Sequence, residues 1–353
     1  MTEEVQPGSH ESTAPTATHE VRNEATPERA DAPLHATRQL LNHARTEMGR
    51  VISGQTEVID EVLMTLLCQG HLLLEGVPGI AKTLIVKAVG RLLGLSFHRV
   101  QGTPDLMPAD ILGTTILNLN QAQGSSSFSF HAGAVFTDLL LVDEINRMPP
   151  RTQAALLECM EERQVTIDGV RRPLPQNFTV FATQNPVDFE GTYPLPEAQL
   201  DRFLLKTRVP YPSESDERHI LELHLAASGA LLLDAVHITP IADGLLDAAR
   251  QEVRTIRIEP ELLTYILALV RRTRDWPTLT LGASPRAALS LMRVAQAVAA
   301  LEDRSYLVPD DVKRALQPVL RHRVRLKPEA ELEGFDPDRI LGDIISAVPV
   351  PRA

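Results

Sequence analysis

The stretch His71-Leu72-Leu73-Leu74-Glu75 runs on as Gly76-Val77-Pro78-Gly79-Ile80-Ala81-Lys82-Thr83-Leu84. It joins an apolar run to a glycine-rich turn and then to an amphipathic segment that reaches Leu93. The apolar run predicts a strand, and Lys82–Leu93 a helix. The turn between them has the spacing of a phosphate-binding loop, except that Ala81 stands where a second glycine usually precedes the lysine. Such a turn aims successive backbone N–H groups at a β-phosphate, and the helix behind it adds the positive end of its dipole. Lys82 supplies a point charge for the β- and γ-oxygens, and Thr83 a hydroxyl for Mg²⁺. A methyl at Ala81 fits if that residue keeps a negative φ. The bland alternative is a glycine turn followed by a chance Lys-Thr, and the flanking strand and helix weigh against it.

Outward from this loop the chain alternates. Phe97–Gln101 reads as a second strand, and Leu139–Asp143 is a continuous apolar run of the kind buried on both faces of a parallel sheet. Thr152–Arg163 has a helical apolar stripe, and Phe178–Thr183 is again β-rich. This order implies an α/β fold built as a three-layer parallel-sheet domain. Two hairpins interrupt it. Thr115–Asn120 and Ser126–His131 flank Gln121–Ser125, and Gln164–Ile167 and Val170–Leu174 flank Asp168-Gly169, a strong two-residue turn signal. Upstream, a helical pattern begins at His35 and resumes after Gly54-Gln55.

After Pro210–Pro212 the pattern is helical only, with candidates Ser215–Ser228, Asp243–Val253, Pro260–Arg274, Pro285–Leu301 and Pro309–Leu320. Ser284-Pro285 pairs an N-cap with a first-position proline. A boundary near Tyr211 divides an α/β domain (35–211) from a small all-α domain (212–353). Residues 1–34 hold seven acids and two bases, a net of −5, and few large apolar residues. That composition predicts a disordered acidic tail, with a short acidic interaction segment as the alternative.

Five further positions carry chemistry. The apolar strand delivers Asp143 to its tip, where it can bind Mg²⁺ through water, and Glu144 is placed to polarise an attacking water. Phosphoryl transfer is mostly positioning and charge neutralisation, so it needs this pair. Asn185 ends the buried run Phe178–Gln184 with an amide that can orient the water and sense a γ-phosphate, although Asn-Pro alone would be an ordinary turn. Arg202 lies beside Asp201, and its plain reading is a surface ion pair worth little. Arg286 stands in the first turn of a helix, where cations are disfavoured, so an anionic partner such as phosphate would explain it.

Composition sets the outer limits. The chain has 353 residues, 43% hydrophobic and 23% charged, an ordinary globular balance. Its net charge of −11 argues against a broad basic surface as the main binding device. Two cysteines, Cys68 and Cys159, exclude a disulfide framework and a thiolate zinc site, and both read as small buried residues. No membrane span and no signal peptide is visible, so a cytoplasmic setting is expected.

Together these residues resemble the MoxR-type branch of the AAA+ ATPases, a helix-2-insert clade, over roughly residues 38–350. Val51-Ile52-Ser53-Gly54-Gln55 is similar to the adenine-side segment, Gly76–Thr83 with Leu84 to the phosphate loop, and Phe136–Arg147 to the Asp-Glu box. Ala before the lysine is familiar in that branch. Asn185 falls on sensor 1, Arg202 on the arginine finger and Arg286 on sensor 2. Gly282–Ala287 and Val319-Leu320-Arg321-His322-Arg323 are particularly MoxR-like. Residues 114–131 look like the helix-2 insertion and 164–175 like the hairpin before sensor 1. The resemblance implies ATP and Mg²⁺ as cofactors, a helical lid, and a homo-oligomeric, usually hexameric ring whose finger serves the neighbouring subunit. It also implies chaperone-like work on partners, including proteins with von Willebrand A domains.

Three functions compete: a protein-remodelling ATPase, a nucleic-acid motor of the same clade, and a nucleotide-gated scaffold. Arg163, Arg171 and Arg172 at the second hairpin favour the motor, and the acidic balance and lack of a separate nucleic-acid domain oppose it. Intact Glu144, Asn185 and Arg202 oppose the scaffold.

Overall fold

The computed structural model describes residues 34–77, 79–120, 125–185, 191–226 and 232–351. Pro78 and nearly all of the expected tail lie outside them. Leu34, read from sequence as the end of the tail, is buried and caps the first helix, so it belongs to the folded part.

The first region runs α1 (His35–Gly49), α2 (Thr56–Leu67), β1 (Leu72–Glu75), α3 (Lys82–Leu93), β2 (Phe97–Gln101), α4 (Pro108–Leu112), β3 (Gly113–Asn120), β4 (Ser125–Ala132), β5 (Leu139–Asp143), α5 (Pro150–Glu162), β6 (Gln164–Ile167), β7 (Val170–Pro173), β8 (Thr179–Gln184), α6 (Glu197–Leu200) and β9 (Leu205–Arg208). The second runs α7 (Glu214–Ala226), α8 (Leu232–Ala235), α9 (Leu245–Arg254), α10 (Pro260–Arg274), β10 (Leu279–Leu281), α11 (Pro285–Leu301), α12 (Pro309–Leu320), β11 (Arg325–Leu326), α13 (Pro328–Leu332) and α14 (Pro337–Ala347). It is helical as expected, with one short antiparallel pair, β10–β11.

Five strands form a parallel sheet in the order β2-β5-β8-β1-β9. Successive side chains of a strand point to opposite faces, and both faces here are covered. Leu139 and Leu141 join one core with Leu72, Leu74 and Phe181, whereas Leu140 and Val142 join a second with Leu73, Val180 and Ala182. That is why Leu139–Val142 shows no polar alternation. Each such side chain contributes about 1.5–3 kcal/mol when fully buried. The sequence pattern does not predict β9: Leu205-Lys206-Thr207-Arg208 has one large apolar residue and becomes a strand because β1 offers it an open edge.

Register decides where the chemistry collects. Gln101 is opposite Asp143, and Gln184 is opposite Glu75, so the carboxyl ends of the four strands lie in one row. Ligands of open parallel sheets bind beyond such ends.

Both hairpins form, and the second turns through Asp168 and Gly169 at φ 51° and 77°. They meet where the Arg172 guanidinium lies 3.9 Å from the centre of the Phe130 ring. Cys68 and Cys159 are buried and free, and burial pushes the Cys68 thiol up to about 11. Among the described residues no helix is long and apolar enough to cross a membrane.

Candidate functional site: a two-part nucleotide cleft

The loop from β1 to α3 turns under constraint. A side chain at Gly76 would collide with Ile80 Cδ1 (2.5 Å) and the Val209 carbonyl (2.9 Å). Gly79 has φ 87°. Ala81 departs from the expectation of a negative φ: it sits at φ 62°, ψ 15°, in the left-handed region. A non-glycine there costs on the order of 1–2 kcal/mol, and the loop bears it because Ala81 is where the chain swings into α3. Glu144 is also left-handed, at φ 56°, ψ 53°. Strained residues of this kind concentrate at functional sites, and these two line the same cleft.

That cleft, about 380 Å³, is lined by Gly79, Ala81, Lys82, Thr83 and Leu84 from the loop and α3. Across from them stand Arg99 and Gln101 at the end of β2, Asp143 and Glu144 after β5, and Thr183 and Asn185 at the end of β8. Lys82 Nζ donates to Gly76 O at 2.5 Å, and partial burial lowers its pKa while Asp143, Glu144 and Glu75 oppose the shift. The Thr183 hydroxyl donates to Asp143 Oδ1 at 3.2 Å and accepts the Glu144 N–H at 2.9 Å, fixing both acids. Arg99 Nε lies 2.6 Å from Asp143 Oδ2. Gln101 Nε2 donates to Glu144 Oε2 at 3.0 Å, and Arg147 Nε is 3.2 Å from the same oxygen. The general-base candidate is therefore held by an amide and a guanidinium.

A second, apolar cleft of about 590 Å³ shares Gly79, Ala81 and Leu84 with the first. Val51, Ile52, Gln55 and Ile80 form one wall, and Tyr211, Ile220, Leu221 and His224 another. Gln55 Nε2 donates to Pro210 O at 3.1 Å, but its buried Oε1 has no hydrogen-bond partner among the described residues. An acceptor left open in an apolar wall fits a purine amine. Val77 and Gly76 line neither cleft; Val77 packs on the core and Gly76 presents its carbonyl to Lys82.

Arg202 and Arg286 also line neither cleft. Arg202 does not pair with Asp201, as the plain sequence reading had it. Its Nε donates to Glu161 Oε2 at 2.9 Å, and Arg286 Nη2 donates to Glu161 Oε1 at 2.9 Å. Hydrogen bonding from Arg286 is the main cause that lowers the Glu161 carboxyl below the usual range. The anionic partner expected for Arg286 is thus Glu161, within this chain.

Sequence reasoning missed Arg99, Gln101, Thr183 and Glu161. The polar alternation of β2 was the one available signal for the first two. Of the arginines that favoured a nucleic-acid motor, Arg163 donates to Gln69 O at 2.6 Å and Arg172 covers Phe130, so both are engaged internally.

A parallel sheet with a phosphate-type loop, acids at the strand ends and a helical lid defines a P-loop nucleotide-binding protein of the AAA+ class. Residues 71–205 match the ATPase family associated with various cellular activities (AAA), and residues 271–344 the AAA lid domain. Chaperone MoxR1 of Mycobacterium tuberculosis is 40% identical over 340 residues, covering 94% of this chain and 87% of that one. Protein MoxR of Methylorubrum extorquens is 32% identical, covering 90% and 96%. The uncharacterized protein YeaC of Bacillus subtilis is 43% identical, covering 88% and 95%. A crystal structure of a candidate ATPase from Cytophaga hutchinsonii superposes with a TM-score of 0.80 at 39% identity, covering 90% of this chain and 98% of that one. The chain belongs to the MoxR branch of the AAA+ ATPases.

Proposed function

We propose that this chain binds ATP with Mg²⁺, hydrolyses it as a homo-oligomeric ring, and uses the cycle to remodel or activate partner proteins. The observation that carries this reading is the meeting of Lys82, Thr83, Asp143, Glu144 and Asn185 in one polar cleft that adjoins an apolar one roomy enough for a base.

Each residue has a task. The apolar cleft takes the base, with Gln55 Oε1 accepting from it. Lys82 leaves the Gly76 carbonyl for the β- and γ-oxygens. Thr83 and Asp143 are the residues that would hold Mg²⁺, whose charge would offset that of the phosphates. Glu144, once released by Gln101 and Arg147, accepts a proton from the attacking water, and Asn185 orients that water. Arg202 and Arg286 stand together outside the chain's own cleft, which supports their service to a neighbouring subunit. A finger of this type adds about 10³–10⁵ in rate.

The relative named a chaperone supports protein clients over nucleic acid, and the resemblance extends this to partners with von Willebrand A domains. Two free buried cysteines fit a reducing, cytoplasmic setting. The test is Glu144→Gln. It keeps size and hydrogen bonding but removes the basic oxygen. Titration should show ATP–Mg²⁺ binding like wild type, with hydrolysis down by roughly 10²–10⁴-fold. Hydrolysis at the wild-type rate would overturn the assignment, and DNA-stimulated turnover would move the reading to a motor.

A further inference from the structure

Arg202 sits in the turn Asp201–Leu204, between α6 and β9. That turn is gripped from the second region by the residues that follow α12. The Arg323 side chain is 3% exposed. Its Nε donates to Asp201 Oδ1 at 2.7 Å, and its Nη2 donates to Phe203 O at 2.6 Å and Asp201 O at 3.2 Å. Its Nη1 donates to Leu204 O at 3.3 Å and, back in α12, to Val319 O at 2.7 Å. His322 Nε2 donates to Phe203 O at 3.0 Å. The second oxygen of Asp201 accepts from Ser284 Oγ at 3.0 Å. Ser284 is the N-cap of α11, two residues before Arg286.

Every carbonyl flanking Arg202 is thus tied to one buried guanidinium, and the acid beside it is tied to the helix that carries Arg286. A buried ion pair is a poor way to gain stability, since apolar packing of the same volume does as well. Its directional bonds do something apolar packing does not: they fix the backbone from which Arg202 projects. Burial lowers the Arg323 pKa only to about 10, so the group stays charged at neutral pH.

We propose that Arg323 is a positioning residue for Arg202. With Asp201 it welds the finger turn to α11 and α12, so that Arg202 and Arg286 move as one body with those helices. A displacement of the helices in one subunit is then delivered to its neighbour's nucleotide. This rests on the reading of Arg202 as a finger supplied in trans.

The test uses the full chain with Arg323→Gln, Arg323→Lys and Asp201→Asn, beside Arg202→Ala. An ångström of misplacement can cost about 10²-fold in rate. Arg323→Gln should therefore keep its equilibrium affinity for ATP and lose kcat by about that factor. It should regain activity when mixed with Lys82→Ala subunits, which carry an intact finger turn. Arg323→Lys can hold Asp201 but not three carbonyls, and should fall between. Lost ATP affinity, failure of rescue in subunits that still co-assemble, or wild-type kcat would each overturn the proposal. If Arg323→Gln does not fold, Asp201→Asn is judged by the same outcomes. Failure of the underlying reading looks different: Arg202→Ala itself would be fully active, or inactive and beyond rescue.

Discussion

Arg99 Nε lies 2.6 Å from Asp143 Oδ2, reaching from β2 to the tip of the neighbouring strand β5. The carboxylate that would face a divalent cation is thus already covered by a cation of the chain. If Asp143 holds Mg²⁺ as proposed, Arg99 would compete with the ion for that carboxylate.

Removing the guanidinium should therefore ease metal entry. Arg99→Ala is expected to lower the Mg²⁺ concentration that half-saturates nucleotide binding by roughly two- to fivefold, the worth of a partly exposed pair. A titration with a fluorescent nucleotide over a Mg²⁺ series measures it. If more Mg²⁺ is needed instead, Arg99 grips phosphate rather than guarding Asp143.

Mixing subunits separates the possible roles of Arg202. Arg202→Ala should bind ATP yet hydrolyse it about 10³–10⁵-fold more slowly. Lys82→Ala should fail to bind. Each carries what the other lacks, so two inactive preparations should recover part of the activity together, once light scattering confirms co-assembly. A finger acting in cis gives no recovery, and a plain Arg202–Glu161 surface pair gives a nearly silent substitution.

Acid should find a weak point at His71. Its Nδ1 accepts the Val180 N–H at 3.0 Å, so its proton sits on Nε2, which donates to Met160 O at 3.1 Å. A second proton would face an N–H. Burial, with Arg163 adding repulsion, holds the ring's pKa down at about 3. The unfolded chain takes up its proton near pH 6.5, so this contribution to stability is complete above that value. It drains by up to about 1.4 kcal/mol per pH unit as the pH falls toward 3. Denaturant melts across this range should show the slope, and His71→Gln should flatten it by one proton. An unchanged slope would place the acid sensitivity elsewhere.

The phosphate loop and the Asp143-Glu144 pair were legible because each is encoded within one strand–turn unit. The partners of Arg202 and Arg286 were not. Glu161 lies 41 and 125 residues from them, and only the packing of α5 brings the three together. Arg99 and Gln101 were legible as strand residues but not as site residues. That depends on β2 lying next to β5, and no local pattern states sheet order. Ala81 was misjudged because residue type is a weak guide to φ where a ligand site dictates the turn.

Strand β2 is also an outer strand of the sheet, paired with β5. Open strand edges invite edge-to-edge pairing between molecules, and charged side chains discourage it. On β2 that protection falls to the exposed residues His98, Arg99 and Gln101. Position 99 therefore answers to solubility as well as to Asp143. Replacing Arg99 with a β-branched apolar residue would free the carboxylate and, by the same stroke, leave the edge adhesive to other copies at high concentration.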